Sequence, residues 1–378
     1  MRRRIYLYTF ILTLAEGLLF SVNSPFIAGI VSESLVGVVY SLASVAALLL
    51  LAYLPRVLRT AGAPATLTVL LVMGAAAAIT VALGSASWVL GALVLFLAIP
   101  QVAPAITDMY VEAESRVGER GKAVGADFSF MNLAYAIGPV VAGFIIARSG
   151  FSTVYFIAAA AFIAALLAAN RFTKHVILPH TRRGNLWKGL GQAWGNKNLR
   201  VVLSLVFLLH AFFAWMIIYT PLYLQTRFGF GYETLGLIFS IMIVPYLLLE
   251  YPLGRIADKW LGEKELLIGG FTIIAITVGV IPLINNKSWI LWAGILFATR
   301  VGSATVEGMS ATYFYKKTRP DQADVIALFR DMRPLAYLIA PVLASIVVTK
   351  LSVGSLFPIL GGVMLIGALL STRLKDTR

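Results

Sequence analysis

The chain has no cysteine, which rules out disulfide staples and thiolate-bound metals. Histidine is nearly absent too, with three in 378 residues. No His-Glu-x-x-His segment occurs, the pair on one helix face that a zinc hydrolase uses to hold its metal. Nor is there a Gly-x-x-x-x-Gly-Lys-Ser/Thr loop to cradle nucleotide phosphates. Neither an enzyme nor an ATP-driven pump has visible machinery here, and no cofactor or metal is expected. Charge is scarce as well: Asp, Glu, Lys and Arg make up 13% of the residues, about half of the ~25% with which a soluble domain covers itself.

Hydrophobic residues fill the gap. They are 60% of the chain, and the mean hydropathy is +0.88. The apolar runs are roughly 20 residues long without apolar–polar alternation, which suits membrane-spanning helices rather than barrel strands. Hydrocarbon offers the backbone no partners, so each span must satisfy its own amides. The breaks between runs predict an all-α integral membrane protein with twelve spans near 5–30, 34–54, 65–84, 87–111, 121–147, 151–170, 199–226, 233–253, 266–284, 288–313, 323–349 and 352–372. The opening Met-Arg-Arg-Arg imitates a signal peptide, but the apolar stretch runs on to Ile30 and reads as a retained first helix. The longest polar stretch lies midway. It divides the chain into a bundle over 1–170, a cytoplasmic loop over 171–198 and a second bundle over 199–378.

The net charge of +14 would suggest a nucleic-acid partner in a soluble protein. Its distribution argues otherwise. With the N-terminus inside, the inner segments carry nearly all the Lys and Arg, and only Arg148, Arg227, Lys287 and Lys350 fall outside. Basic residues stay on the cytoplasmic side, so both termini are expected there, in a plasma-membrane protein. The basic face would meet anionic inner-leaflet lipids.

The sequence also repeats itself. Leu133–Ala142 recurs as Leu335–Ala344 with seven of ten positions identical, Ser87-Trp88 recurs as Ser288-Trp289, and Gly37–Ser41 recurs as Gly236–Ser240. Matches in order and at nearly one spacing pair the second, fourth and fifth spans with the eighth, tenth and eleventh. A shift of six spans preserves direction across the membrane, which defines parallel repeats.

One segment carries a family resemblance. Gly254, Arg255, Asp258, Lys259 and Gly262 follow the pattern of the loop between the second and third helix of a half in the major facilitator superfamily, with one extra residue before Gly262. Gly138, Pro139, Ala142 and Gly143 in the fifth span resemble that family's antiporter motif, with alanine at one glycine position. With the repeats, the resemblance covers essentially the whole chain. It implies two pseudo-symmetric six-helix bundles and alternating access by a rocker-switch movement. It also implies a cytoplasmic latch in which the Asp258 carboxylate meets basic groups and a helix N-terminus. The N-terminal counterpart of the latch is degenerate: Pro55 stands for Gly254 and Arg59 for Asp258. The arginine common midway down the fourth helix of drug/proton exporters is missing; Ile99 holds that region, and its repeat partner is Arg300.

Ionisable residues inside spans cost roughly 2.5–3.5 kcal/mol each on insertion scales, which makes each a functional candidate. Glu16, His210, Asp127 and Glu307 are candidates for proton coupling. Asn23, Asn132, Tyr135, Trp215, Tyr219, Arg300 and Tyr337 are candidates to line a substrate cavity. Arg330, Asp331 and Arg333 read as a mutually neutralising network at the inner end of the eleventh span, with an anion site as the alternative. The expected function is secondary transport of a small solute by a monomer, as proton-coupled efflux of amphipathic compounds. The alternative is proton-coupled symport or uniport of an organic anion or metabolite anchored by Arg300.

Overall fold

The computed structural model describes residues 2–84, 87–114, 120–173, 186–259, 261–319 and 322–375. Among them every regular element is a helix. In chain order these are α1 (Arg2–Gly17), α2 (Asn23–Ala28), α3 (Glu33–Ala82), α4 (Val89–Ala113), α5 (Arg120–Ala169) and α6 (Leu186–Trp194). Then follow α7 (Lys197–Phe228), α8 (Tyr232–Lys259), α9 (Glu263–Gly279), α10 (Trp289–Lys317), α11 (Ala323–Lys350) and α12 (Leu356–Ser371). Nine helices among the described residues are long and apolar enough to cross a membrane. Their outer faces expose large aliphatic side chains such as Leu49, Leu167, Ile290 and Leu369, while Ser41, Ser44, Ser303 and Ser310 are buried. Small polar residues inside and leucine outside is the arrangement that lipid favours, since hydrocarbon gives leucine no reason to turn inward.

Two helices are far too long for one crossing. α3 and α5 each run 50 residues, roughly 75 Å at 1.5 Å per residue against a hydrocarbon core of about 30 Å. Each bends at a single glycine with positive φ, Gly62 (φ 78°, ψ 161°) and Gly150 (φ 76°, ψ 177°). A side chain would be strained in that conformation, so glycine lets two rods abut without a loop. The repeat carries through to these breaks. By the spacing of the repeats, Gly62 pairs with Gly262, which precedes α9 with ψ 169°. Gly150 likewise pairs with Ser352, which follows α11 with ψ 166°.

Three elements differ from the sequence expectation. The first apolar stretch is not one helix: α1 stops at Gly17, tight turns hold residues 18–22, and α2 restarts at Asn23. Pro25, in the first turn of α2, would clash with a carbonyl four residues back in a continuous helix. The middle loop contains α6, whose Gly189 and Ala193 lie buried at helical spacing. Gly189 sits so close to α11 that a Cβ there would lie 2.4 Å from the Asp324 carbonyl oxygen. Finally, α8 continues through Pro252 to Lys259. The stretch read as a latch loop is therefore mostly a helix end, with Gly262 at the N-cap of α9. Arg255 there is exposed; the side chains of Gly254, Asp258 and Lys259 lie outside the described residues.

The chain forms two compact units. Unit 1 comprises Met1–Thr181 with Leu224–Ser240, and unit 2 comprises Arg182–Tyr223 with Ile241–Arg378. In unit 1, α1 packs along α5 and α3 packs against α4 and α5. In unit 2, α9 packs between α10 and α12, and α6 rests on α11. Unit 2 also holds an ion pair at its α9–α10 end. The Glu263 side chain is 2% exposed and accepts from the Nζ of Lys316, whose side chain is 45% exposed. Replacing Lys316 with methionine is expected to destabilise the protein by about 1–3 kcal/mol, because a buried carboxylate loses its charged donor. A thermal unfolding midpoint in detergent measures this, and the double variant Lys316→Met/Glu263→Gln should recover part of the loss.

Candidate functional site

Polar side chains gather in one buried cluster per unit. In unit 2 the centre is Arg300 on α10. Its side chain is 2% exposed, with the guanidinium carbon 5.1 Å from the Phe212 ring and 5.7 Å from the Phe213 ring on α7. Cation–π contact of this kind accommodates a charge where water is excluded. Tyr246, Tyr337 and Glu307 are within electrostatic reach of the guanidinium. Glu307 stands seven residues on along α10, two turns up the same face. The Tyr246 hydroxyl lies 2.8 Å from Oγ of Ser303, itself one turn from Arg300. The guanidinium is still incomplete: Nη1 is buried and makes no hydrogen bond among the described residues. A donor fixed and dry without an acceptor costs about 1–3 kcal/mol, a penalty that an incoming acceptor would relieve.

Other expected residues surround this centre with different roles. His210 on α7 stands 5.7 Å from Phe213, ring to ring, within reach of the charge on Arg333. Its Nδ1 is buried without a partner among the described residues. Arg333 lies over the Tyr337 ring at 6.0 Å. Asp331 is buried, whereas Arg330 is exposed. Trp215 and Tyr219 were candidates for the cavity wall. The Trp215 indole donates to the Ala340 carbonyl at 2.6 Å, and the Tyr219 hydroxyl lies 3.4 Å from the Pro341 carbonyl and 3.3 Å from Oγ of Ser345. Their polar ends tie α7 to α11.

In unit 1 the carboxylate of Asp127 on α5 accepts a 2.7 Å hydrogen bond from the Thr9 hydroxyl on α1. Glu16 is half-buried at the end of α1, just before the break. Asn23 is buried, and its Oδ1 accepts from the Tyr155 hydroxyl at 2.7 Å. Asn132 is buried with Nδ2 unpartnered among the described residues. Tyr135 tilts against Phe20, centroids 5.4 Å apart.

The Gly-Pro segment of α5 has a clear local purpose. A Cβ on Gly138 would lie 2.3 Å from the Gly17 carbonyl carbon, so α1 and α5 touch backbone to backbone at the point where α1 ends. Farther along, a Cβ on Gly143 would lie 2.3 Å from the Tyr232 carbonyl oxygen, and one on Gly236 would lie 2.4 Å from the Pro139 carbonyl oxygen. The start of α8 is thus seated on α5 through glycines on both helices, within unit 1. Ala142, which stands at one of the motif's glycine positions, is fully buried.

Sequence reasoning did not single out Phe212, Phe213, Tyr246, Ser303, Thr9 or Tyr155. In a chain this apolar, aromatic and hydroxyl residues inside spans carry no periodic signal of their own. Ser303 alone was within reach, being one turn from Arg300.

The family model of the Major Facilitator Superfamily matches residues 5–329 and, in a second match, 221–378. The chain belongs to the Major Facilitator Superfamily. It is a membrane transporter, then, and not an enzyme. Among solved structures, a point mutant of the nucleoside transporter NupG superposes with a TM-score of 0.76 at 14% identity, covering 98% of both chains. The parent NupG structure gives 0.73 at 13% identity, covering 99% of both. At such identities the likeness is one of fold. No curated protein sequence matches significantly.

Proposed function

We propose that this superfamily member is a secondary active transporter, anchored on Arg300, for a small planar solute that carries hydrogen-bond acceptors. The observation that carries this reading is the buried guanidinium with an unsatisfied nitrogen. Keeping such a group inside a span is costly, and a ligand that accepts from Nη1 gives the cost a purpose. Glu307 offsets the positive charge nearby, so the solute need not be a full anion; a neutral heterocycle or a monoanion suits it. Phe212, Phe213 and the Tyr246–Ser303 hydroxyls offer faces for a ring and partners for alcohols. Nucleosides have both features, and the solved structures of similar fold carry nucleosides by their titles. They are the first solutes to test.

The geometry shifts the preference from drug efflux to this anchored polar solute. Efflux of an amphipathic compound remains the second reading, supported by the half-buried Glu16 and the glycine-proline seam of α5. Both readings use alternating access by a monomer in the cytoplasmic membrane. They also share twelve crossings: α1 with α2 as one, α3 and α5 as two each, and α4 and α7 to α12 as one each. Both termini lie in the cytoplasm in this reading, which the one-sided distribution of Lys and Arg among the loops supports. Protons are the proposed coupling ion, with Glu16 as the carrier. In proteoliposomes with an imposed pH gradient, Glu16→Gln should remove the gradient dependence of uptake while counterflow persists. Gradient-driven uptake equal to the parent's would rule Glu16 out.

A further inference from the structure

The helix α8 is shared between the two units. Residues 232–240 belong to unit 1, with the end of α7, and residues 241–259 belong to unit 2. Each part has its own anchors. In unit 1 the glycine seating of α8 on α5 is reinforced by rings: Phe151 meets Tyr232 edge-on at 5.1 Å, and Phe20 meets Phe239 at 6.2 Å. In unit 2 the Tyr246 hydroxyl lies 2.8 Å from Oγ of Ser303, and its ring stands 6.4 Å from that of Phe213. Pro245 falls between these two sets of anchors, whereas the other proline of α8, Pro252, lies well inside unit 2. Pro245 has no N–H, so the Ile241 carbonyl lacks its helical partner, and the proline ring crowds that same carbonyl. Of the ladder bonds crossing the helix just after Ile241, only those from Met242, Ile243 and Val244 remain. The weakened turn thus coincides with the passage from one unit to the other. By the spacing that pairs Gly37 with Gly236, Ala46 holds the place of Pro245 in α3, a helix lying wholly in unit 1.

We propose that α8 is hinged over residues 241–245, so that residues 224–240 form an arm that keeps its seat on α5 when the rest of α8 bends away. On the α7 side, only residues 224–228 follow the crossing before the helix ends, and Gly229 turns the chain with φ 68°. The tip therefore follows the arm without a second hinge. Bending at the proline breaks few bonds, because the one that would resist it most directly is already absent. This departs from two rigid six-helix bundles, for which α8 would move as one rod. The hinge holds whatever the solute is, and it does not rest on the Arg300 reading.

The test is hydrogen exchange of the purified full chain in detergent, read by mass spectrometry on overlapping peptides. A local opening exposes the amides that it crosses. In the parent, the amides of Met242, Ile243 and Val244 should exchange about tenfold faster than those of residues 236–239. Pro245→Ala restores the missing bond and should remove most of that difference. Gly236→Ala places a Cβ 2.4 Å from the Pro139 carbonyl oxygen and should unseat the arm. Its exchange should then rise over residues 232–240 and stay unchanged beyond Tyr246. A rigid α8 predicts equal protection on both sides of Ile241, or a disturbance from Gly236→Ala that spreads past Tyr246; either result overturns the hinge. Fast exchange that Pro245→Ala leaves untouched overturns it as well. The parent and Pro245→Ala decide the matter on their own if Gly236→Ala does not fold.

Discussion

Replacing Arg300 with methionine is expected to weaken solute binding by about 30-fold, while the empty protein becomes as stable as the parent or more so. The first effect follows from losing a charge-assisted hydrogen bond worth about 2 kcal/mol in a dry site. The second follows because the variant removes a buried charge and its orphaned nitrogen in favour of an apolar side chain of similar length. Arg300→Lys keeps the charge yet should bind nearly as poorly. A point charge cannot reproduce the planar guanidinium lying 5.1 Å from the Phe212 ring with a nitrogen free for an acceptor. Titration calorimetry with a nucleoside panel, paired with unfolding midpoints, reads both quantities. An arginine that only holds helices together predicts the opposite pattern, with stability lost and binding kept.

The second large effect is at the seam of α5. Gly138→Val is expected to destabilise the protein by about 3 kcal/mol or more, because its Cβ would sit 2.3 Å from the Gly17 carbonyl carbon and neither backbone can yield within packed helices. The control is Gly91→Ala on α4. Nothing lies within 4 Å of a Cβ there, so it should be neutral or stabilising by up to about 1 kcal/mol. Fluorescence-monitored size exclusion after heating ranks the two variants directly. If Gly138→Val elutes as a folded monomer with an unchanged midpoint, the backbone contact between α1 and α5 is not a structural constraint.

The sequence made some of this legible and concealed the rest for physical reasons. Spans are easy to see because hydrocarbon imposes length and apolarity. The repeats are visible because a tyrosine and a proline at fixed positions anchor the match between Leu133–Ala142 and Leu335–Ala344, where Gly138 gives way only to the small Ala340. The break between α1 and α2 was missed because residues 17–22 are apolar or small, and Pro25 is the one helix breaker near the restart. The helix α6 was missed because its basic surroundings read as loop, although Leu186, Leu190 and Ala193 share one face. Arg300 stood out as a charge in a span. Its rings did not, because Phe212 and Phe213 resemble any other apolar pair until α7 is laid beside α10. The roles of Trp215 and Tyr219 depend on carbonyls of α11, which sequence does not place.

The most direct test of the central claim is counterflow of a radiolabelled nucleoside in proteoliposomes, without ATP or an ion gradient. The account predicts transient accumulation by the parent into liposomes preloaded with unlabelled nucleoside, and none by Arg300→Met at the same solute concentration. Equal accumulation by the two proteins would contradict it.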